Sequence, residues 1–368
     1  MGAAAAMTLV AVSPATASAH DAHGDDGEPI TTIANGLDGP RQLSEHDHRL
    51  LVAESDSGEV SWVDLANGRV HTAMTGLGNA QGVDYGHGRL YVAVGEAAPP
   101  PEDGAPPPAE APADGPSSVL IEATSDGTVL RTFDLLEYEL ENNPDGQVQF
   151  VDGAPVDALS NPFSVLVQKK RVLVSDAGAN DVLSIDLHSG EISTFFVPPV
   201  VTDTPECMAA ENNPGTVGCD PVPTEITQGP DGLIYVGSLG AEAPGAGRVY
   251  VLDQHGTVVD VITGLTGVTG VAVDHHGSVY ASSVLEGAPA MEGDAPPPAD
   301  FDPSTVGQIT RISPDGERAT AEVTMPTGLE VHDGRLYASA WSVASFLGMP
   351  GAGEVQRVDR HAFTDVTP

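Results

Sequence analysis

One phrase recurs six times along the 368-residue chain: a short apolar strand, a polar turn, and then an aliphatic-aromatic strand. The second strands of the six phrases are 50–53, 90–93, 172–175, 234–237, 279–282 and 336–339. The spacings between them are 40, 82, 62, 45 and 57 residues, so the shortest is one repeat and the others are that repeat plus insertions. A chain of this kind folds as an array in which each unit buries its apolar face against its neighbours.

Each unit resolves into four predicted strands, which we name A to D in chain order. Period-two alternation, β-branched residues and Gly, Asp or Asn turns favour strands throughout. The chain opens with one D-type strand at 29–34, continues with five complete units and ends with strands A, B and C, which makes 24 strands. This count predicts an all-β, six-bladed β-propeller of four antiparallel strands per blade, occupying 29–368, with the N-terminal strand closing the last blade.

Two alternatives to this fold remain open at this point. In a competing closure, the C-terminal tail at 361–367 supplies the last D strand. A β-helix or a sandwich would also hold many short strands, although recurring four-strand units with an aromatic strand B suit propeller blades better.

The long insertions all fall on one face of the predicted propeller, which we call the insertion face. Because successive strands of a blade are antiparallel, the B–C and D–A connections share this face and the short A–B and C–D turns share the other. The insertions are 96–116, 133–160, 198–222, 239–247, 286–303 and 342–353. Insertions gathered on one face are typical of a working surface.

These insertions contain 22 acidic residues and neither Lys nor Arg. Such a surface favours cations, and the partners it indicates are Ca²⁺ or another divalent cation, a polyamine or a basic protein. The alternative is that the acidic residues only solvate an acidic, salt-adapted surface. Two stretches, 99–116 and 288–303, are rich in Pro, Ala and Glu and are expected to be disordered.

The charge of the whole chain excludes two classes of partner. Lys and Arg number 14 against 53 Asp and Glu, a formal net charge of −39. A nucleic-acid binder working through a basic patch and a protein of anionic membrane surfaces are both excluded. We expect a monomer that binds a small molecule or a protein.

The N-terminus has the pattern of an export signal over 1–19, with a short apolar run and a small-x-small cleavage pattern. A positive n-region is missing, and the alternative is an Ala-rich disordered terminus. Residues 20–28 are predicted to be a flexible acidic tail containing a His-x-x-His pair. The expected location is therefore secreted or in the cell envelope.

The chain contains two cysteines, Cys207 and Cys219, within the 198–222 insertion. In an exported chain they indicate one disulfide that staples a long loop. Two unpaired thiols are the alternative, and a zinc site is disfavoured because the chain has no further cysteine.

Candidate functional carboxylates lie at two kinds of strand end. Among the residues that begin the A strands, Glu225 is the one carboxylate, and Arg41 begins the first A strand. The B strands end in Glu54, Glu96, Asp176 and Glu286, with Asn180 and Asp181 following Asp176. These side chains could converge on the insertion face near the axis, or the 176–181 segment could be a tight loop whose Asp and Asn bond local amides. Six histidines fall in A–B turns on the opposite face, where turn chemistry explains them.

Several phrases resemble the ScyD/ScyE family of exported bacterial propeller proteins. They are 35–41 (Asn-Gly-Leu-Asp-Gly-Pro-Arg), 161–163, the Asp-Ala-Gly-Ala-Asn-Asp loop at 176–181, the Pro-Thr leads at 223–224 and 326–327, and 229–237. The resemblance covers about residues 30–359 and implies the fold and export, with no assigned activity. More distant in shape are the gluconolactonase-like hydrolases, whose metal ligands begin the A strands where this chain has Thr, Gln, Phe and Arg, and the streptogramin lyase-like propellers.

The sequence therefore predicts an exported, non-catalytic propeller that binds a ligand or scaffold partner through its acidic insertion face. The alternative is a metal-assisted hydrolase or lyase in which Glu54, Asp176 and Glu225 act as ligands or bases.

Overall fold

The computed structural model describes residues 28–97, 115–289 and 301–366, and it confirms the six-bladed β-propeller. Strands A to D are Pro40–His46, Arg49–Glu54, Glu59–Asp64 and Val70–Met74 in blade 1; Ala80–Gly86, Arg89–Val94, Val119–Thr124 and Val129–Asp134 in blade 2; Pro162–Val167, Arg171–Asp176, Asp181–Asp186 and Ile192–Phe196 in blade 3; Pro223–Gln228, Ile234–Ser238, Gly247–Leu252 and Val258–Leu265 in blade 4; Val268–Val273, Val279–Ser283, Gln308–Ile312 and Arg318–Ala321 in blade 5; and Leu329–His332, Arg335–Ala340, Gly353–Val358 and Ile30–Leu37 in blade 6. The expected export signal, most of the 20–28 tail and the core of both Pro-rich stretches lie outside the described residues.

The N-terminal strand closes the ring, as the strand count predicts. Ile30–Leu37 pairs antiparallel with Gly353–Val358, the C strand of blade 6. The competing closure by the tail is not adopted, because Thr364–Asp365 instead adds a short fifth strand to the outer edge of blade 5. The first and last parts of the propeller are thus held in one sheet.

The core lies between the blades, and the tyrosines of the B strands show how it forms. Tyr91 of blade 2 is buried in one cluster with Val174 of blade 3, and Tyr280 of blade 5 shares a cluster with Leu336 of blade 6. A large side chain at this position therefore packs on the following blade, and this contact requires an aliphatic or aromatic residue in every repeat.

Three threonines, Thr224 and Thr269 at the second position of strand A and Thr327 just before strand A of blade 6, fasten neighbouring blades around the central channel. The hydroxyls of Thr224, Thr269 and Thr327 donate to the carbonyls of Val268, Pro326 and Pro40, at or just before the start of strand A in the next blade, at 2.8, 3.1 and 2.9 Å. All three side chains are buried. These channel positions therefore serve the contact between blades.

Two of the long insertions are ordered against the insertion face. The segment between blades 2 and 3 contains the helix Leu135–Asn142 and a small hairpin of Phe150–Val151 with Ala154–Pro155. The segment between blades 3 and 4 contains the disulfide Cys207–Cys219, which confirms the predicted pairing. In the described part of the chain, every helix is too short or too polar to span a bilayer.

Candidate functional site

The loop between strands B and C of blade 3 begins with Asp176 and ends with Asp181, and the two residues are direct cross-strand partners. Both side chains are fully buried. Two like charges facing each other across a strand pair destabilise a sheet unless something else compensates them. The two carboxylates are compensated very differently.

Asp176 is saturated by protein donors. Its Oδ2 accepts from the Ser160 hydroxyl at 2.6 Å, and its Oδ1 accepts from the backbone N–H groups of Asn161 and Ala179 at 2.6 and 3.1 Å. Burial raises the pKa of Asp176, while these hydrogen bonds act in the opposite direction. The side chain ties the 176–181 loop to the end of the preceding insertion, so its geometry is that of a loop-organising residue.

Asp181 has no hydrogen-bond donor on either oxygen among the described residues. Burial, together with the charges of Asp176, Glu139 and Asp145, raises the pKa of Asp181 well above its ordinary range. A buried carboxylate without partners is costly, by several kcal/mol even after relaxation. The groups that act on it are all acidic, so this position calls for a proton or a cation.

The helix Leu135–Asn142 and its C-cap carry two further buried oxygens, and the charge of Glu139 acts on Asp181. Glu139 is buried on its inner face; Gln149 donates to its Oε1 at 3.0 Å, while its Oε2 has no donor in the described structure. Asn143 caps the helix in the left-handed conformation one turn later, and its Oδ1 is also buried without a donor. Burial, with a further contribution from Asp145 and Asp176, raises the pKa of Glu139 to about 7.

Asp145 and Asn180 join the helix segment to the loop. The Asn180 amide donates to Asp145 Oδ2 at 3.2 Å, and its carbonyl accepts from Val222 N–H at 3.1 Å. Burial raises the pKa of Asp145. The insertion after blade 3 supports the arrangement through Asp220, whose Oδ1 accepts from the Gln147 amide at 2.6 Å.

We call Glu139, Asn143, Asp145 and Asp181 the oxygen cluster. Four of its oxygens are buried without donors: both of Asp181, one of Glu139 and one of Asn143. Carboxylate and amide oxygens are the ligands that hard cations such as Ca²⁺ take, in sets of six to eight that include water. The ligand types of the oxygen cluster therefore fit a hard divalent cation, while Glu139, Asp145 and Asp181 do not bring one oxygen each within 4.8 Å of one another in the described structure.

Glu225 lies elsewhere, in the central channel. It is buried, its Oε2 has no donor in the described structure, and burial followed by the charge of Glu330 raises its pKa well above the ordinary range. Burial also raises the pKa of Glu330 to about 8. Asp84, by contrast, is held by three hydrogen bonds, including one from Val167 N–H at 2.7 Å.

Glu54 and Arg41 belong to a third place, the B–C turn of blade 1. Glu54 Oε2 accepts from Asp38 N–H at 2.8 Å, and Arg41 Nε donates to the Ser55 hydroxyl at 3.0 Å. Burial raises the pKa of Glu54 and lowers the pKa of Arg41. Of the eight residues predicted from sequence, Asp176, Asn180 and Asp181 are brought together. Glu96 lies close enough for the charge of Asp176 to contribute to its raised pKa, and Glu286 is exposed.

Sequence reasoning missed Glu139, Asn143 and Asp145, because the 133–160 insertion was treated as one irregular segment. A local sequence pattern that predicts the helix was nevertheless present. Asp134 is the helix N-cap and accepts from Glu137 N–H at 2.8 Å, which is the start pattern of a helix. Leu135, Glu139 and Asn143 then recur every four residues, the spacing of one helical face.

No family model matches this chain, and no curated protein matches it. Solved structures are similar in fold at low sequence identity. A putative oxidoreductase (glucose dehydrogenase) from Thermus thermophilus is 14% identical with a TM-score of 0.53, and the match covers 89% of this chain and 98% of that one. A gluconolactonase from Xanthomonas campestris is 10% identical with a TM-score of 0.50, covering 89% of each chain. The calcium-binding protein regucalcin from Agrobacterium tumefaciens strain C58 is 11% identical with a TM-score of 0.50, covering 89% and 94%. At these identities the similarity shows the fold alone.

Proposed function

We propose that this chain is an exported binding protein that takes up a divalent cation, Ca²⁺ foremost, in the oxygen cluster and presents its insertion face to a ligand or protein partner. The observation that carries the proposal is Asp181, a fully buried carboxylate with no donor on either oxygen among the described residues. A bound cation supplies the missing charge and uses the oxygens that no protein group satisfies.

The cation also has a structural consequence for the face. Glu139 and Asp145 come from the insertion before blade 3, whereas Asp181 is part of the blade itself. Shared coordination would draw the insertion onto the propeller and fix its outer surface. The high density of acidic residues and the lack of Lys and Arg in the insertions favour a basic partner or a polyamine for that surface.

The test measures Ca²⁺ binding by the parent and by variants of two cluster carboxylates. The chelator-treated full chain should bind one Ca²⁺ with a Kd of about 10⁻³ M or tighter, since extracellular modules bind Ca²⁺ at about 10⁻⁴ to 10⁻³ M. Glu139→Gln and Asp181→Asn should each weaken Ca²⁺ at least about tenfold in calorimetry, because each removes a ligand charge.

Glu141→Gln is the matched control, because it removes the same charge from an exposed position on the same helix. Its Ca²⁺ affinity should stay within about twofold of the parent. Equal weakening by Glu139→Gln and Glu141→Gln would mean that the effect is only the general field of the face, and the proposal would fail.

A metal-assisted hydrolase or lyase is the second candidate, and the buried Glu225 favours it. A channel carboxyl with an unpartnered oxygen and a raised pKa is suited to general acid catalysis. Turnover of a lactone that requires both the divalent cation and Glu225 would favour this candidate over simple binding.

Export and membership of the ScyD/ScyE family are part of the same proposal. The Cys207–Cys219 disulfide supports an oxidising compartment, since such bonds persist mainly outside the cytosol. The Asp-Ala-Gly-Ala-Asn-Asp loop, which carries the resemblance, is also the loop that supplies Asp181.

A further inference from the structure

Two histidines from different blades meet on the face opposite the insertions. His48 lies in the A–B turn of blade 1 and His332 at the end of strand A in blade 6. His48 Nδ1 and His332 Nε2 are 3.1 Å apart. Blades 1 and 6 are the first and last blades of the ring, so this contact spans the place where the chain closes.

Glu45 lies against both histidines. Its Oε1 accepts from the His48 backbone N–H at 2.7 Å, and its Oε2 is 3.3 Å from His332 Nδ1. One possible metal-ligand atom from each of the three side chains lies within 4.8 Å of those of the other two. Glu45 and His332 are largely shielded, with side-chain exposures of 21% and 17%.

The cluster has more lone pairs than protons to fill them. Each neutral imidazole supplies one N–H, whereas the carboxylate of Glu45 supplies only acceptors. A second carboxylate, that of Asp333, lies 3.3 Å from His332 Nε2. A shared cation would satisfy this surplus of acceptors.

The A–B turn of blade 1 holds His48 in a left-handed conformation that the equivalent turns give to glycine. His48 has a φ of 59°, in the left-handed region, and the equivalent turn positions of blades 2 and 6 are Gly88 and Gly334. Glycine takes this conformation without cost, whereas other residues are held there by their surroundings, often at functional sites. The imidazole is therefore retained at a position that the repeat elsewhere gives to glycine.

We propose that His48, His332 and Glu45 form a binding site for a transition-metal dication such as Zn²⁺, which links blade 1 to blade 6. Two imidazoles and one carboxylate are a ligand set that suits Zn²⁺, Ni²⁺ or Cu²⁺ and disfavours Ca²⁺ and Mg²⁺. The three protein ligands leave at least one coordination position for water or an external ligand. Next to Asp333 lies an open cleft of about 620 Å³, lined by His275, Gly229 and Gly334 among others.

The test is Zn²⁺ binding to the full chain after chelation. The parent should bind Zn²⁺ at this site, with its melting temperature rising on addition of the metal. His48→Asn and His332→Asn should each weaken this binding at least about tenfold and remove the rise in melting temperature, because each removes an imidazole ligand. Asn tolerates the left-handed conformation, so His48→Asn is expected to fold.

His87→Asn is the matched control. His87 has a φ of 55° in the A–B turn of blade 2, and its Nε2 contacts the Gln168 carbonyl at 3.1 Å, away from the cluster. This variant should bind Zn²⁺ as the parent does. A second background, with His20 and His23 both replaced by Asn, removes the His-x-x-His pair of the N-terminal segment and should keep the site.

Two results would overturn the proposal: a parent chain that binds no Zn²⁺, or Zn²⁺ affinity and stabilisation unchanged in both His48→Asn and His332→Asn. The Asp181→Asn variant separates this site from the oxygen cluster. It should bind Ca²⁺ at least about tenfold more weakly and bind Zn²⁺ as the parent does, so failure of either site leaves the other testable.

Discussion

At the residue scale, buried polar side chains divide into those that the fold satisfies and those that it leaves unsatisfied. Asp176 and Thr327 are satisfied, the first by three donors and the second by donating to the Pro40 carbonyl of the next blade. Asp181 and Glu225 each have an oxygen without a donor in the described structure. Unsatisfied buried oxygens are costly to stability. They therefore indicate residues whose role is something other than stabilising the fold.

Glu225→Gln should make stability less dependent on pH. The pKa of Glu225 is raised above its ordinary value of 4.5, so between that value and the raised one the folded state holds a proton that the unfolded state has lost. The contribution of Glu225 to the free energy of unfolding is therefore fully present below about pH 4.5. It falls as pH rises towards the raised pKa, by up to about 1.4 kcal/mol per pH unit. The glutamine variant lacks this loss and should be the more stable protein at pH 7 to 8, with the difference shrinking towards pH 4.

Urea unfolding at pH 4, 6 and 8 measures this difference. Glu317→Gln is the control, since it removes a carboxylate from an exposed turn on blade 5. If the glutamine variant at 225 loses stability with rising pH as steeply as the parent, then Glu225 is not held protonated by the channel.

At the scale of elements, the insertions 133–160 and 198–222 are held by bonds within and between them. The 198–222 insertion is stapled by Cys207–Cys219 and paired through Val201 with Cys219. It contacts the preceding insertion through Asn213, which exchanges two hydrogen bonds with Val148. The stapled 198–222 insertion therefore supports the 133–160 insertion, and in this way it also supports the position of Glu139.

Removing the disulfide should loosen the insertion before the propeller unfolds. In the loop-entropy model a closure of this length stabilises by about 3 kcal/mol, and the blades themselves contain no cysteine. The Cys207→Ser and Cys219→Ser double variant should be cut within 198–222 by a protease at least about tenfold faster than the parent. The same cleavage rate in both proteins would show that the insertion is ordered without the bond, and reduction of the parent by a thiol is the matching control.

At the scale of the whole molecule, stability depends on closing the ring. The Ile30–Leu37 strand is the outer strand of blade 6 and buries Leu37 and Ala34 against blades 1 and 6. Without it, the last sheet has an exposed edge and the last blade loses part of its core. The tail strand, Thr364–Asp365, is exposed and adds only two residue pairs to blade 5.

Two truncations of similar kind test this difference. A chain lacking residues 1–38 should lose more than about 3 kcal/mol of unfolding free energy, through the burial of Leu37 and the loss of a full strand ladder. A chain lacking 364–368 should lose less than about 1 kcal/mol. Urea unfolding followed by circular dichroism compares them, and equal losses would contradict the closure by the N-terminal strand.

The blade count, the closing strand and the disulfide pairing were predicted from the sequence alone, and the structure then excluded closure by the tail and unpaired thiols. Each depends on a local pattern: alternation of period two, turn residues at fixed places, an aromatic residue in most B strands, and two cysteines in one loop. Asp176, Asn180 and Asp181 were predicted for the same reason, because they belong to one short loop.

The oxygen cluster and the histidine pair were decided only by the tertiary structure. Glu139 comes near Asp181 because the 133–160 insertion folds back over blade 3. His48 and His332 meet only when the ring closes. Such contacts between distant segments depend on how whole blades and loops pack, and no local periodicity encodes them.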